Sequence, residues 1–105
     1  MPDFMNILKQ AQEMQGRFQK IQEELQLKTV TGTSGGGMVI AEVSGTGQLK
    51  KLKLDPSVVN PADIEMLEDL IVVAIADAQK KATELAQAEM GKLTGGMNLP
   101  FKLPF

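Results

Sequence analysis

Carboxylates, lysines and glycine-rich loops are the groups in this chain with chemistry to offer. None of its 105 residues is cysteine or histidine. That removes disulfides, thiolate ligands, the commonest metal ligand and the commonest general base. The acids Glu65, Glu68, Asp69 and Asp77 lie along one segment, and Glu65 shares a side with Glu68 or Asp69 if that segment is helical. Acids near a helix start complement its dipole, so neither a metal nor a carboxylate-pair hydrolysis is needed to explain them. No nucleophile stands with a base. We therefore expect no catalytic residue, no metal, no cofactor and no small-molecule substrate: the chain does not read as an enzyme.

The glycine-rich stretches fail as phosphate cradles. GTSGGG at residues 32–37 has no following Gly-Lys-Ser/Thr and leads into strand-like sequence, and GTGQLKK from Gly45 fails in the same way. Both read as hairpin turns that need positive φ. The cations are more informative. Lys50, Lys51 and Lys53 cluster in the middle of the chain, and Lys9, Arg17, Lys20, Lys80, Lys81 and Lys92 are spread over its two flanks. A net charge of -2 and a pI near 5.1 argue mildly against phosphate partners, yet the distribution is uneven: the middle is basic and the last segment acidic. Tyr and Trp are absent, and the four Phe lie in an apolar seam or in the tail, so platforms for stacking single-stranded bases are missing. If nucleic acid binds, duplex DNA gripped by its backbone fits better, and dimerisation would double every basic site.

These side chains must be held by elements that periodicity predicts. Phe4, Ile7, Ala11, Met14, Phe18, Ile21 and Leu25 alternate spacings of three and four, a heptad seam that predicts a helix over 3–27. The β-prone Thr29, Val30 and Thr31 predict a strand over 28–32, and further strands are expected over 38–44 and 48–54, joined by the two glycine turns. Val39, Ala41 and Val43 share one face of the second strand while Met38 and Ile40 take the other, so both sides look apolar. Asn60, Pro61 and Asp63 are helix-start signals, and Ile64, Leu67, Ile71, Ala74, Ala78, Ala82 and Leu85 continue one face of a helix over 61–93. Residues 94–105, with glycines and prolines, read as an irregular tail. The fold class expected is α+β: a single domain over 1–93, α-β-β-β-α, with a three-stranded antiparallel meander and two long helices. The last helix outruns any body that a chain this short can build, so it protrudes or pairs with a second copy. Surplus apolar surface points to a homodimer, with Met38, Ile40, Leu67 and Ile71 as candidate interface residues. No membrane span or secretory signal is expected, which suggests the cytoplasm.

Three segments then carry a resemblance. GGGMVIAEVSGTGQLKKLKLDP, DIEMLEDLIVVAIADAQKKATEL and MGKLTGGMNLP resemble the YbaB/EbfC family of bacterial nucleoid-associated proteins over essentially the whole chain. The firmest parts are Gly35-Gly36-Gly37, Leu67-Glu68-Asp69-Leu70 with Ala74 and Ala78, and Thr94-Gly95-Gly96. The resemblance implies a small cytoplasmic homodimer shaped like tweezers, whose first and last helices form arms that bind DNA, and a role in nucleoid organisation or gene regulation. On that reading Lys9, Arg17, Lys20, Lys80, Lys81 and Lys92 contact duplex DNA, and Gln12 and Gln19 add polar contacts. Asp77, Glu84 and Glu89 stand near the proposed DNA side and would repel phosphate. A rival reading from another class is an adaptor whose amphipathic, Met-containing arms grip another protein.

Overall fold

The computed structural model describes residues 4–94. Its element order is α1 (Phe4–Leu27), β1 (Thr29–Ser34), β2 (Val39–Ser44), β3 (Leu49–Leu54) and α2 (Ile64–Thr94), with the strands in one antiparallel sheet in the order β1-β2-β3. The fold is α+β, a meander between two long helices. The tail expected to be irregular lies outside the described residues from position 95 onward.

Alternation within the strands builds the core. Val39, Ala41 and Val43 point to one side of β2 and are fully buried, beneath Ala74, Ala78 and Ala82 of α2. Small residues on the helix let its backbone come close to the sheet. At Gly32 of β1 the approach is so close that a Cβ would collide with the Ala74 carbonyl and the Ala78 amide. Glycine is the residue that this contact permits.

The turns follow local rules. Gly35, Gly36 and Gly37 have φ of 61°, 69° and 95°, a run of left-handed backbone that residues with a Cβ resist. These three residues suffice for the reversal, so β1 continues through Thr33 and Ser34, which the sequence reading gave to the turn. Ser34 turns inward, where its hydroxyl donates to the Leu70 carbonyl. Met38, expected to open the second strand, has φ -73° and ψ -24° and closes the turn instead. Gly47, at φ 93°, bends the second hairpin, and Ser44 closes it by donating its amide to the Gln48 carbonyl at 2.8 Å.

The second helix starts later than its capping signals suggested. Asn60 uses its side chain within the preceding turn, accepting from the Ala62 amide at 3.0 Å, and Asp63 caps the helix by accepting from the Met66 amide at 3.2 Å. Pro61 therefore lies before α2, not at its first turn.

Over the sheet, α2 lies on β1 and β2, leaving the same-side leucines of β3 open: Leu49 and Leu54 are exposed and Leu52 is half-buried. The other side of the sheet is more polar than the sequence reading supposed, with Thr29, Thr31, Thr33, Lys51 and Lys53 exposed around a half-buried Ile40. The surplus apolar surface thus sits at β3, on α2 and on α1. Leu25 alone is buried on α1. The radius of gyration is 19.6 Å, against about 13 Å for a compact domain of this length, because α1 projects from the body.

Candidate nucleic-acid interface

The root of α1 is fastened by a set of short contacts. Gly45 donates its amide to the Leu25 carbonyl at 2.8 Å, and a Cβ at Gly45 would press on that same carbonyl. Gln26 adds a side-chain bridge: its amide donates to Gln48 at 2.8 Å and its carbonyl accepts from the Thr46 hydroxyl at 2.7 Å. From this root α1 runs outward beside the last turns of α2. The arrangement is a two-helix arm.

Between the two helices of the arm lies a groove of about 330 Å³ lined by Arg17, Lys20, Ile21, Glu24, Glu89 and Lys92. Three of the six cations expected to touch DNA meet here. Arg17 and Lys20 come from one helix and Lys92 from the other, a convergence that depends on how the helices dock. Ile21 supplies a half-buried apolar floor.

Glu89 is the electrostatic hinge of the groove. Its carboxylate pairs with Lys28 at 3.3 Å and Lys92 at 3.6 Å. The Lys28 hydrogen bond, then the Lys28 and Lys92 charges, hold the carboxyl below the usual glutamate range. An acid that looked repulsive to phosphate is already matched by two lysines. The same holds for Asp77, which accepts from the Thr33 amide at 3.1 Å and from Lys81 at 3.1 Å, contacts that lower its carboxyl below the ordinary value.

The other candidates are dispersed. Lys81 also donates to the Thr31 carbonyl at 3.4 Å, so with Asp77 it occupies the outer backbone groups of the β1 edge. Lys80 is its exposed neighbour on α2, and Lys9 stands far out on α1 beside Met5, Leu8 and Gln12. Glu84 is exposed. Of the residues expected at a dimer interface, Leu67, Ile71 and Ile40 are half-buried and Met38 is exposed, its sulfur accepting from the Ser57 hydroxyl at 3.6 Å. Sequence reasoning missed Lys28 as a tie between the helices. The only signal available was its place immediately after α1.

Among the described residues no group of three or more acids is placed to hold a metal ion, and no helix is long and apolar enough to cross a membrane. At the opposite end from the groove a second cleft, about 490 Å³, has Met66, Leu70 and Val73 on its floor and Asp63, Glu65 and Asp69 around it.

Comparison with known proteins identifies the pattern. The model of the YbaB/EbfC DNA-binding family matches residues 1–97. A nucleoid-associated protein of Gemmatimonas aurantiaca is 59% identical over 103 residues, covering 98% of this chain and 99% of that protein. Another from Gluconacetobacter diazotrophicus is 47% identical, covering 100% of this chain and 98% of that protein. Among solved structures, an uncharacterized protein from Helicobacter pylori superposes with a TM-score of 0.80 at 26% identity, covering 90% of this chain and 100% of that one.

Proposed function

This chain belongs to the YbaB/EbfC DNA-binding family, and from that premise we propose that it is a nucleoid-associated protein that binds duplex DNA as a homodimer, mainly through phosphates, in the bacterial cytoplasm. The observation that carries the reading is the groove between α1 and α2. Arg17, Lys20 and Lys92 converge there with two acids, Glu24 and Glu89, and Glu89 is engaged with Lys28 and Lys92. A phosphate entering the groove meets guanidinium and ammonium donors that position a backbone without reading bases. Lys9 extends the basic track along the arm, and Gln12 and Gln19 offer amides beside it. Lys80 adds long-range attraction, and Lys81, held by Asp77 and Thr31, contributes least. Nucleoid organisation or gene regulation is the role that follows.

The dimer rests on two surfaces of opposite character. Around β3 the open leucines Leu49, Leu52 and Leu54 are flanked by Lys50, Lys51 and Lys53. On the first half of α2 the apolar Ile64, Leu67 and Ile71 are flanked by Glu65, Glu68 and Asp69. A two-fold axis lets each copy offer its basic strand to the acidic helix of the other, burying apolar area and matching charge in both contacts. Met38 and Ile40 lie at the margin of this interface. Two bodies joined so carry two arms, each with its groove.

Charge reversal tests the groove. The double variant Arg17→Glu with Lys20→Glu should lower duplex affinity by roughly tenfold or more at moderate salt, with the elution volume of the dimer unchanged. Unchanged affinity would remove both residues from the interface.

A further inference from the structure

The outer half of α1 is apolar along one side, and nothing among the described residues covers it. Phe4, Ile7, Leu8 and Phe18 are 70%, 54%, 45% and 43% exposed, with an exposed Ala11 and a half-buried Met14 between them. Helix α2 accompanies only the root of α1: Lys92 lines the groove with Arg17 and Lys20, and α2 ends at Thr94. We propose that this stripe docks on the same stripe of a second copy, antiparallel and centred on Ala11. Arms then join tip to tip, through a surface separate from β3 and the first half of α2.

Three arguments select that occupant. The first is the symmetry of the spacing. Phe4 and Phe18 lie equally far to either side of Ala11, and Ile7 and Leu8 on one side are balanced by Met14 and Gln15 on the other. A stripe that reads alike in both directions is matched by its own reversed copy: Phe4 meets Phe18, Ile7 meets Met14, and Ala11 meets itself across a two-fold axis. The methyl side chain of Ala11 lets the two helices come close at that centre.

The second argument is length. The uncovered part of α1, residues 4–16, is about 20 Å long at 1.5 Å per residue. With Ala11 on the axis, Arg17 of one copy lies level with Met5 of the other. Each α2 therefore stops where the other copy's α1 begins, and the arms overlap by their uncovered lengths without the second helices colliding. The third is charge. Lys9 and Glu13 are the charged residues of the uncovered part, and both fall on the side of the helix away from Ala11. The flanks hold Gln10 and Gln12, uncharged and each able to donate and accept, so self-pairing opposes no like charges and desolvates no ion. Lys9 stays outward. A seam this short makes a weak contact, but two arms per dimer, lined up on DNA, raise its effective concentration. That amplification rests on the function proposed above; the pairing itself does not.

The chain contains no cysteine, so a single introduced one reports on the pairing. Full-length Ala11→Cys is oxidised at micromolar concentration, and the covalent two-chain product is followed by intact mass and non-reducing electrophoresis. Glu13→Cys, on the far side of the same helix, is the comparison, because a disulfide needs Cα atoms within about 7 Å. Both positions are exposed, and circular dichroism verifies that the helices are kept. Product forming at least tenfold faster from Ala11→Cys is the expected result. Adding Ile7→Glu should remove that advantage, and adding Leu49→Glu, which alters β3 alone, should leave it. Equal rates from the two cysteines would overturn the proposal, as would an advantage indifferent to Ile7→Glu. An advantage lost with Leu49→Glu would overturn it too, by making the arm contact a consequence of the β3 interface. The sedimentation of Leu49→Glu without any cysteine bears on the β3 interface alone, so failure of either reading is told apart.

Discussion

Glu89 shows how one residue can reverse the inference drawn from composition. Counted in the sequence, it is an acid near a proposed DNA surface. In the fold it pairs with Lys28, just beyond α1, and with Lys92 one turn further along its own helix, so its charge is matched. Its pH behaviour follows from the sign of its shift. The native carboxyl titrates below the usual range while the unfolded one titrates near 4.3, so its stabilising contribution is complete above that ordinary value and lost as pH falls through the depressed native one. Asp77, lowered first by the Thr33 amide and then by Lys81, behaves alike. Glu89→Gln should therefore lower the thermal midpoint at pH 7, and the gap from the unsubstituted protein should narrow as pH falls below the ordinary glutamate range. A gap that stayed constant across that range would show that the carboxylate charge contributes nothing.

At the scale of elements, the decisive contact is α2 on β1 and β2. Ala74, Ala78 and Ala82 form the buried face of the helix, and Gly32 receives it with no side chain of its own. Gly32→Ala puts a methyl group against the α2 backbone at Ala74 and Ala78, which cannot yield unless the helix moves off the sheet. The expected loss is about 3 kcal/mol in urea unfolding, at the upper end of overpacking costs. A loss well under 1 kcal/mol would mean that the helix rides higher on the sheet. The elements themselves were legible in the sequence because both helices keep an apolar stripe and the strands are short β-prone runs set between glycine turns. Boundaries were less so, for physical reasons. Thr33 and Ser34 have the composition of a turn but are paired with Ile40 and Val39, and Asn60 and Asp63 are both competent caps, of which the fold uses the second for α2. The groove was the least legible feature. Arg17, Lys20 and Lys92 were each named from charge, but their meeting depends on the docking of α1 against α2, which the root contacts at Leu25, Gly45 and Gln26 determine.

For the whole molecule, an extended arm on a small body explains why so much apolar surface is left open in one chain. In the proposed dimer, the leucines of β3 find the first half of the partner's α2. Leu49→Glu puts an acid among surfaces that would bring Glu65 and Glu68 of the second copy nearby. Sedimentation should then shift from dimer to monomer while helicity is retained, and a dimer that persisted unaltered would move the interface away from β3.

The measurement that tests the account most directly is duplex binding as a function of salt. The nuclease-treated protein is titrated against a fluorescently labelled duplex of about 30 base pairs, and anisotropy gives the affinity at each ionic strength. With Arg17, Lys20 and Lys92 on each of two arms, about six phosphates are neutralised, which predicts a log-log slope near -5. Binding of that kind, weakened by reversal of Arg17 and Lys20, is the result predicted. No binding at low salt, or affinity indifferent to salt, would contradict backbone recognition and make the arms grips for another protein.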